Sequence, residues 1–170
     1  MRINNRKEFI FQAAIKVISE KGMNNFSIQN ICDEVDMSKG GLMYHFPSKE
    51  VLITSLHEYI IEYMQQLIMD EKSDKETYTE AYLRVCLLVA KSDETRAYMS
   101  LFSYEINEET KTLWDNFYQE IEKELSKELP EEWVTLVVLI TNGIFFDDDY
   151  YSESKLESAL NLLVSLANNR

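Results

Sequence analysis

The run Ser38-Lys39-Gly40-Gly41-Leu42-Met43-Tyr44-His45-Phe46-Pro47-Ser48-Lys49-Glu50 combines residue types that ordinary core sequence does not. Two adjacent glycines in a short helix cost about 1 kcal/mol each against alanine. A chain tolerates that cost where its backbone must lie close to something else, and a phosphate or a base edge fits. Lys39, Tyr44, His45 and Lys49 supply hydrogen-bond donors around this bare surface. The chemistry open to such a set is recognition of anions and base edges. Catalysis is not indicated. The two histidines, His45 and His57, fall on different predicted helices. There is no His-Glu-x-x-His, no phosphate-cradling glycine loop and no nucleophile elbow. We expect no enzyme, no cofactor and no metal site.

The elements that must hold these residues are helices almost throughout. Asn5 with Glu8 has capping-box spacing, and Phe9, Ile10, Ala13, Ala14, Val17 and Ile18 form one face of a helix over 5–21 that Gly22 stops. Ser27 caps a short helix to about 35, with Ile28, Ile31, Cys32 and Val35 on one side. Ser38 caps the next, to about 45, and Pro47 forbids its continuation. Short helix, tight turn and short helix are the proportions of a helix-turn-helix at about 27–46, whose second helix enters a major groove while the first braces it. Ile31, Cys32, Val35, Leu42 and Phe46 read as its core.

Ser48 opens a long helix with a stripe from Val51 to Leu67. Ser73 with Glu76 opens one through Ala90, and Ser92 or Asp93 one to about Ile106. Asn107 opens one to about Glu128, Pro130 one to about Phe146, and Ser152 the last, to about Ala167. That makes about nine helices and no strand candidate. With only 4 Gly and 2 Pro in 170 residues, a β-sandwich or barrel is excluded. The fold class expected is all-α.

Net charge is -13, which by itself argues against nucleic acid, but its distribution decides otherwise. Residues 1–50 carry seven Lys/Arg against six Asp/Glu, and the acidic excess lies in 51–170. A near-neutral head can meet phosphate if its cations share a face, while the acidic body stays away. Cys32 and Cys86 make neither a disulfide framework nor a metal spacing, so we expect a reduced cytoplasmic protein. The opening Met-Arg-Ile-Asn-Asn-Arg-Lys lacks an apolar stretch, so no signal peptide is expected. No apolar run approaches the ~18 residues of a membrane span.

Residues 4–50 resemble the DNA-binding domain of TetR-type transcriptional regulators. The likeness rests on Ser-Glu-Lys-Gly ending helix one, on Phe26-Ser27-Ile28-Gln29-Asn30-Ile31-Cys32, on Met37-Ser38-Lys39-Gly40, and above all on Tyr44-His45-Phe46-Pro47-Ser48-Lys49-Glu50. The resemblance implies a domain at 1–47 that binds DNA and a helical ligand-binding and dimerisation domain at 48–170. It implies phosphate contact at Ser27 and Lys49, and Ser38 and Lys39 at the start of the recognition helix. It further implies backbone approach at Gly40 and Gly41, and base or phosphate contact at Tyr44 and His45. Relatives commonly carry Thr, Ser or Ala at 41 and Tyr at 43. Here Gly41 and Met43 remove two hydrogen-bonding groups, although Met43 can touch a thymine methyl. The function implied is a ligand-responsive, sequence-specific regulator, by family habit a dimeric repressor released from a palindromic double-stranded operator.

Most aromatics follow residue 56. Core packing accounts for most of them; the alternative is an effector pocket for an apolar or aromatic molecule, with Tyr63, Tyr82, Cys86, Met99, Phe102, Trp114 and Phe117 as candidates. Nearby acids Glu62, Glu105 and Asp115 would favour a cationic one. The last two helices read as a homodimer interface through Trp133, Val137, Ile140, Thr141, Gly143, Ile144, Leu156, Ala159, Leu160, Leu163 and Leu166, continued by Ala167, because both are too apolar for outer walls. Asp147-Asp148-Asp149 reads as a solvated loop, since consecutive carboxylates in a helix cannot converge on one ion. The other reading of the chain is an all-helical dimeric interaction or ligand-binding protein that has lost operator binding.

Overall fold

The computed structural model describes residues 5–73, 76–90, 92–102, 107–145 and 151–168. Among them lie nine α-helices: α1 (Asn5–Lys21), α2 (Ile28–Val35), α3 (Lys39–His45), α4 (Lys49–Glu71), α5 (Tyr78–Val89), α6 (Asp93–Phe102), α7 (Glu108–Leu125), α8 (Glu131–Phe145) and α9 (Glu153–Asn168). One short 3-10 turn, Met23–Asn25, follows α1, and the described residues include no strand. Tyr104, Glu105, Asp147, Asp148, Asp149 and Tyr150 lie outside the described residues, as does the side chain of Ala167.

The chain divides into two compact units: residues to Ile61 with Asp93–Leu113, and Glu62–Ser92 with residues from Trp114 onward. Helices α4 and α7 each supply residues to both.

In the first unit, α1 packs on α2 and α6. Its row Ile10, Ala14, Val17 and Ile18 is buried, as are Ile31, Cys32 and Val35 of α2, Leu42 of α3 and Leu52, Leu56 and Ile60 of α4. Phe11 stacks on Tyr59 at 4.8 Å between centroids and meets Phe46 at 5.3 Å, and Gln12 Nε2 donates to the Tyr59 hydroxyl at 2.7 Å. That cluster fixes where α3 ends, because Phe46 is its C-cap residue and is fully buried. Gly22, at φ 72°, ends α1 in the left-handed region that disfavours a side chain. Asp36, at φ 49°, does the same for α2; a short polar side chain tolerates that geometry.

In the second unit α5 is buried nearly all round and packs on α8 and α9. Tyr82 and Thr141 share a buried hydrogen bond of 2.9 Å between hydroxyls. Two boundaries differ from the sequence expectation here. Ser73 and Glu76 do bond to each other, at 3.2 Å, but α5 begins after Thr77, which forms a complete capping box with Glu80. Both pairs have the same spacing; only Thr77 directly precedes the apolar run of α5. Helix α7 stops at Leu125, short of Glu128, and Glu128 turns back onto the start of α5. Its carboxylate accepts from the Tyr78 and Thr79 backbone N–H groups at 2.7 and 2.9 Å and from the Thr79 hydroxyl at 2.7 Å.

The apolar residues of the expected dimer stripe divide between the two sides of their helices. Val137, Thr141, Ile144, Leu156, Leu160 and Leu163 are buried within the single chain. Trp133 and Ile140 are half-buried, and Gly143, Ala159 and Leu166 are exposed. The large apolar groups left in solvent on these helices are Leu136, Leu139, Leu162 and Leu166, with Leu139 64% and Leu162 59% exposed.

Candidate nucleic-acid interface

The second and third helices are set by their caps. Ser27 Oγ accepts from the Asn30 N–H at 3.1 Å, and Ser38 Oγ from the Gly41 N–H at 3.2 Å. Ser48 Oγ, at the start of α4, accepts from Val51 N–H at 3.2 Å. Each serine thereby satisfies a backbone donor the helix itself leaves unpaired. Helix α3 then buries one side chain fully, Leu42.

The rest of α3 faces out. Lys39 and Gly40 are exposed, Met43 is 39% exposed, and Tyr44 is 85% exposed. A phenol left almost wholly in solvent contributes little to packing. His45 is half-buried, its ring edge-on to Tyr44 at 5.3 Å. Lys49 Nζ stands 5.4 Å from the Phe26 ring centre, and Lys7 Nζ, on α1, 5.6 Å from that of Phe46. Glu50 is held below the usual carboxylate range by backbone and Ser48 hydrogen bonds. The Cys32 thiol is pushed up by burial, which suits a core residue rather than a redox site.

The two glycines differ. A Cβ on Gly40 would meet nothing within 4 Å. A Cβ on Gly41 would sit 3.1 Å from Met37 Cγ and 3.3 Å from Ser38 Oγ. So Gly41 has a packing reason inside the protein, while Gly40 has none. Met37, in the turn four residues before Gly41, and Lys7 take parts in this region that local spacing does not assign to them.

The effector candidates divide between the units. Met99, half-buried, and Phe102, exposed, belong to the first; Tyr63, Tyr82, Cys86, Trp114 and Phe117 belong to the second. Tyr82, Cys86, Trp114 and Phe117 are packed as core, with Trp114 edge-on to Phe117 at 5.6 Å. A cleft of about 610 Å³ in the second unit is lined by other residues, among them Gln65, Ile68, Met69, Tyr78, Glu120 and Ile121. Burial and the neighbouring Glu124, Glu120 and Glu128 push the Tyr78 phenol well above its ordinary range, so it stays protonated there. Among the described residues no group of three His, Cys, Asp or Glu is placed to hold a metal. No described helix is long and apolar enough to cross a membrane.

Residues 10–56 match the family model for bacterial regulatory proteins, tetR family. Among curated proteins, the HTH-type transcriptional regulator YuxN of Bacillus subtilis (strain 168) is 32% identical over 77 residues, 45% of this chain and 26% of that protein. YvdT of the same strain is 27% identical over 134 residues, 75% of this chain and 69% of that protein. The matched part thus spans about a quarter of YuxN. A transcriptional regulator from Rhodococcus sp. Rha1 has the same fold at TM-score 0.76, with 14% identity and 95% of each chain covered. AibR, solved with isovaleryl coenzyme A and operator DNA, superposes at TM-score 0.71, with 16% identity, 93% of this chain and 97% of that one. Residues 10–56 thus carry the tetR-family match, and the chain as a whole shares the fold of these solved regulators.

Proposed function

We propose that the protein is a sequence-specific, ligand-responsive transcriptional regulator that acts in the cytoplasm as a homodimeric repressor. Residues 1–47 would be its reading head and 48–170 its effector-binding and dimerisation part. The observation that carries this is the outward face of α3, where a lysine, a bare glycine, a methionine and a tyrosine stand in solvent with no packing to explain them. Each protomer lays α3 in a major groove, and two-fold symmetry presents two half-sites about one helical turn apart. Ser27, Ser38, Lys39, Gly40, Gly41, Met43, Tyr44, His45 and Lys49 are the contact residues. The near-neutral residues 1–50 can meet phosphate through the cations of this face, while the acidic excess of 51–170 disfavours it elsewhere.

The dimer forms through the exposed face of α8 and α9, where Leu136, Leu139, Leu162 and Leu166 are otherwise in contact with water. Gly143, beside which a Cβ would find open space, permits close helix approach there. An effector binds in the helical part, and the cleft beside Tyr78 falls in the size range of small-molecule sites. The AibR structure, holding both an acyl coenzyme A and operator DNA, supports this joint reading. Helix α4 is continuous from Lys49 to Glu71, so an effector that prefers a different tilt of it changes the spacing of the two α3 helices. The shift is bounded by the effector's differential affinity for the two states.

The test is selection of genomic fragments with purified protein, at low and moderate salt. An enriched palindrome is expected. With about six to ten phosphate contacts its affinity should fall by about 10³–10⁵ between 50 and 200 mM salt. An intact dimer that enriches nothing at either salt refutes operator binding and leaves an interaction protein.

A further inference from the structure

The solvent face of α3 is apolar at its centre. Lys39, Gly40, Met43 and Tyr44 are exposed at i, i+1, i+4 and i+5, one stripe along one side of the helix, while Leu42 is fully buried on the other. Gly40 lies nearly one turn before Met43, and the space a Cβ would fill there is open. The Met43 thioether chain therefore has bare backbone three residues before it, with Lys39 one turn back and Tyr44 beside it. Polar groups stand only at the ends of the stripe, on Lys39 and Tyr44. The helix, Lys-Gly-Gly-Leu-Met-Tyr-His, contains no Arg, Asn, Gln, Asp or Glu. With lysine, those are the residues that pair bidentately with guanine or adenine or accept from cytosine, and the helix offers one of them, Lys39, in its first turn.

A base edge opposite the middle of this stripe meets no hydrogen-bonding side chain. Edges that present only nitrogen and oxygen would lose water there without gaining a partner, which is unfavourable. The C5 methyl of thymine is the apolar group the major groove offers. We propose that Met43, framed by Gly40, is a specificity-determining residue that reads a thymine methyl in each half-site. This rests on the operator-binding reading above and adds to it what the operator must contain.

The experiment uses the full-length protein and the duplex enriched in the selection. Each thymine of the half-site is replaced in turn by deoxyuridine, which removes the methyl and keeps the O4 acceptor. Affinity is read by fluorescence anisotropy for the native protein, Met43→Ala and Met43→Leu, with thermal midpoints checking that each variant folds. Burying one methyl corresponds to about fourfold in affinity, and about fifteenfold when both half-sites are changed. The expected result is one thymine per half-site with that loss, kept in Met43→Leu and absent in Met43→Ala. If no thymine shows it, or if Met43→Ala keeps it, the proposal is overturned while operator binding stands. If no duplex is enriched, both fall together.

Discussion

Replacing Gly40 by alanine separates a glycine kept for a partner from one kept for the fold. Gly40 is exposed within α3, and a Cβ there would meet nothing within 4 Å. The substitution removes conformational freedom from the unfolded chain and introduces no clash, so it stabilises by about 0.5–1 kcal/mol. For a chain of this length the melting midpoint rises by about 1–4 °C. If DNA lies against that backbone, the same methyl is driven into it. Overpacking a tight contact costs about 1–3 kcal/mol, which is about five- to 150-fold in operator affinity. The signature is a more stable protein that binds more weakly. Gly41→Ala should behave differently. Its Cβ would crowd Met37 Cγ at 3.1 Å and Ser38 Oγ at 3.3 Å, and that oxygen holds the helix cap. The propensity gain is then set against a cap worth about 0.5–2 kcal/mol, and no rise in midpoint is expected. Differential scanning calorimetry and anisotropy on the selected duplex read the two quantities. A Gly40→Ala protein that binds like the native one would remove the argument from bare backbone, and one that melts earlier would contradict the packing account.

Glu128→Ala should destabilise by about 1–2 kcal/mol in chemical denaturation, because the start of α5 loses two N–H acceptors and the buried Thr79 hydroxyl loses its partner. His57 is buried, and desolvation pushes it down to about 4 from its ordinary 6.5. Between those values the unfolded chain binds a proton the folded chain does not, so stability is full above about pH 6.5 and falls by up to about 3 kcal/mol towards pH 4. His57→Leu should flatten that part of a stability profile, and an unchanged slope would discount the buried imidazole. Leu139→Glu combined with Leu162→Glu should sediment as a monomer with unchanged circular dichroism, since both side chains are mainly in solvent. Val137→Ala, by contrast, should cost about 2 kcal/mol in stability and leave association intact.

The helix map was legible because its punctuation is local. Ser27, Ser38 and Ser48 each precede an apolar row, and each bonds the backbone three residues on. Phase was legible only where polar residues interrupt the apolar ones. In α2, Ile31, Cys32 and Val35 stand out against Gln29, Asp33 and Glu34, and they are the buried set. In α8 the run Leu136-Val137-Val138-Leu139-Ile140 is apolar at every position and carries no phase of its own. The inner face there is settled by what α5 presents, such as the Tyr82 hydroxyl bonded to Thr141. An excess of apolar residues on these helices is visible in one dimension, but the direction in which each of them points is not.

The same limit explains Glu128. A carboxylate fifty residues from the helix it caps leaves no trace in local spacing, whereas the Thr77–Glu80 box is written within four residues. The face of α3 is legible for the opposite reason. A residue kept for folding is explained by its neighbours, and Leu42, Phe46 and Gly41 all are. Gly40 and Tyr44 are not, since one borders open space and the other is left in water. Natural sequences break local rules mainly where function requires it. Among the described residues, an exposed lysine, a glycine bordering open space, a half-exposed methionine and a solvated tyrosine gather on one side of one seven-residue helix. That gathering, more than any single donor, is the reason to place a nucleic acid there.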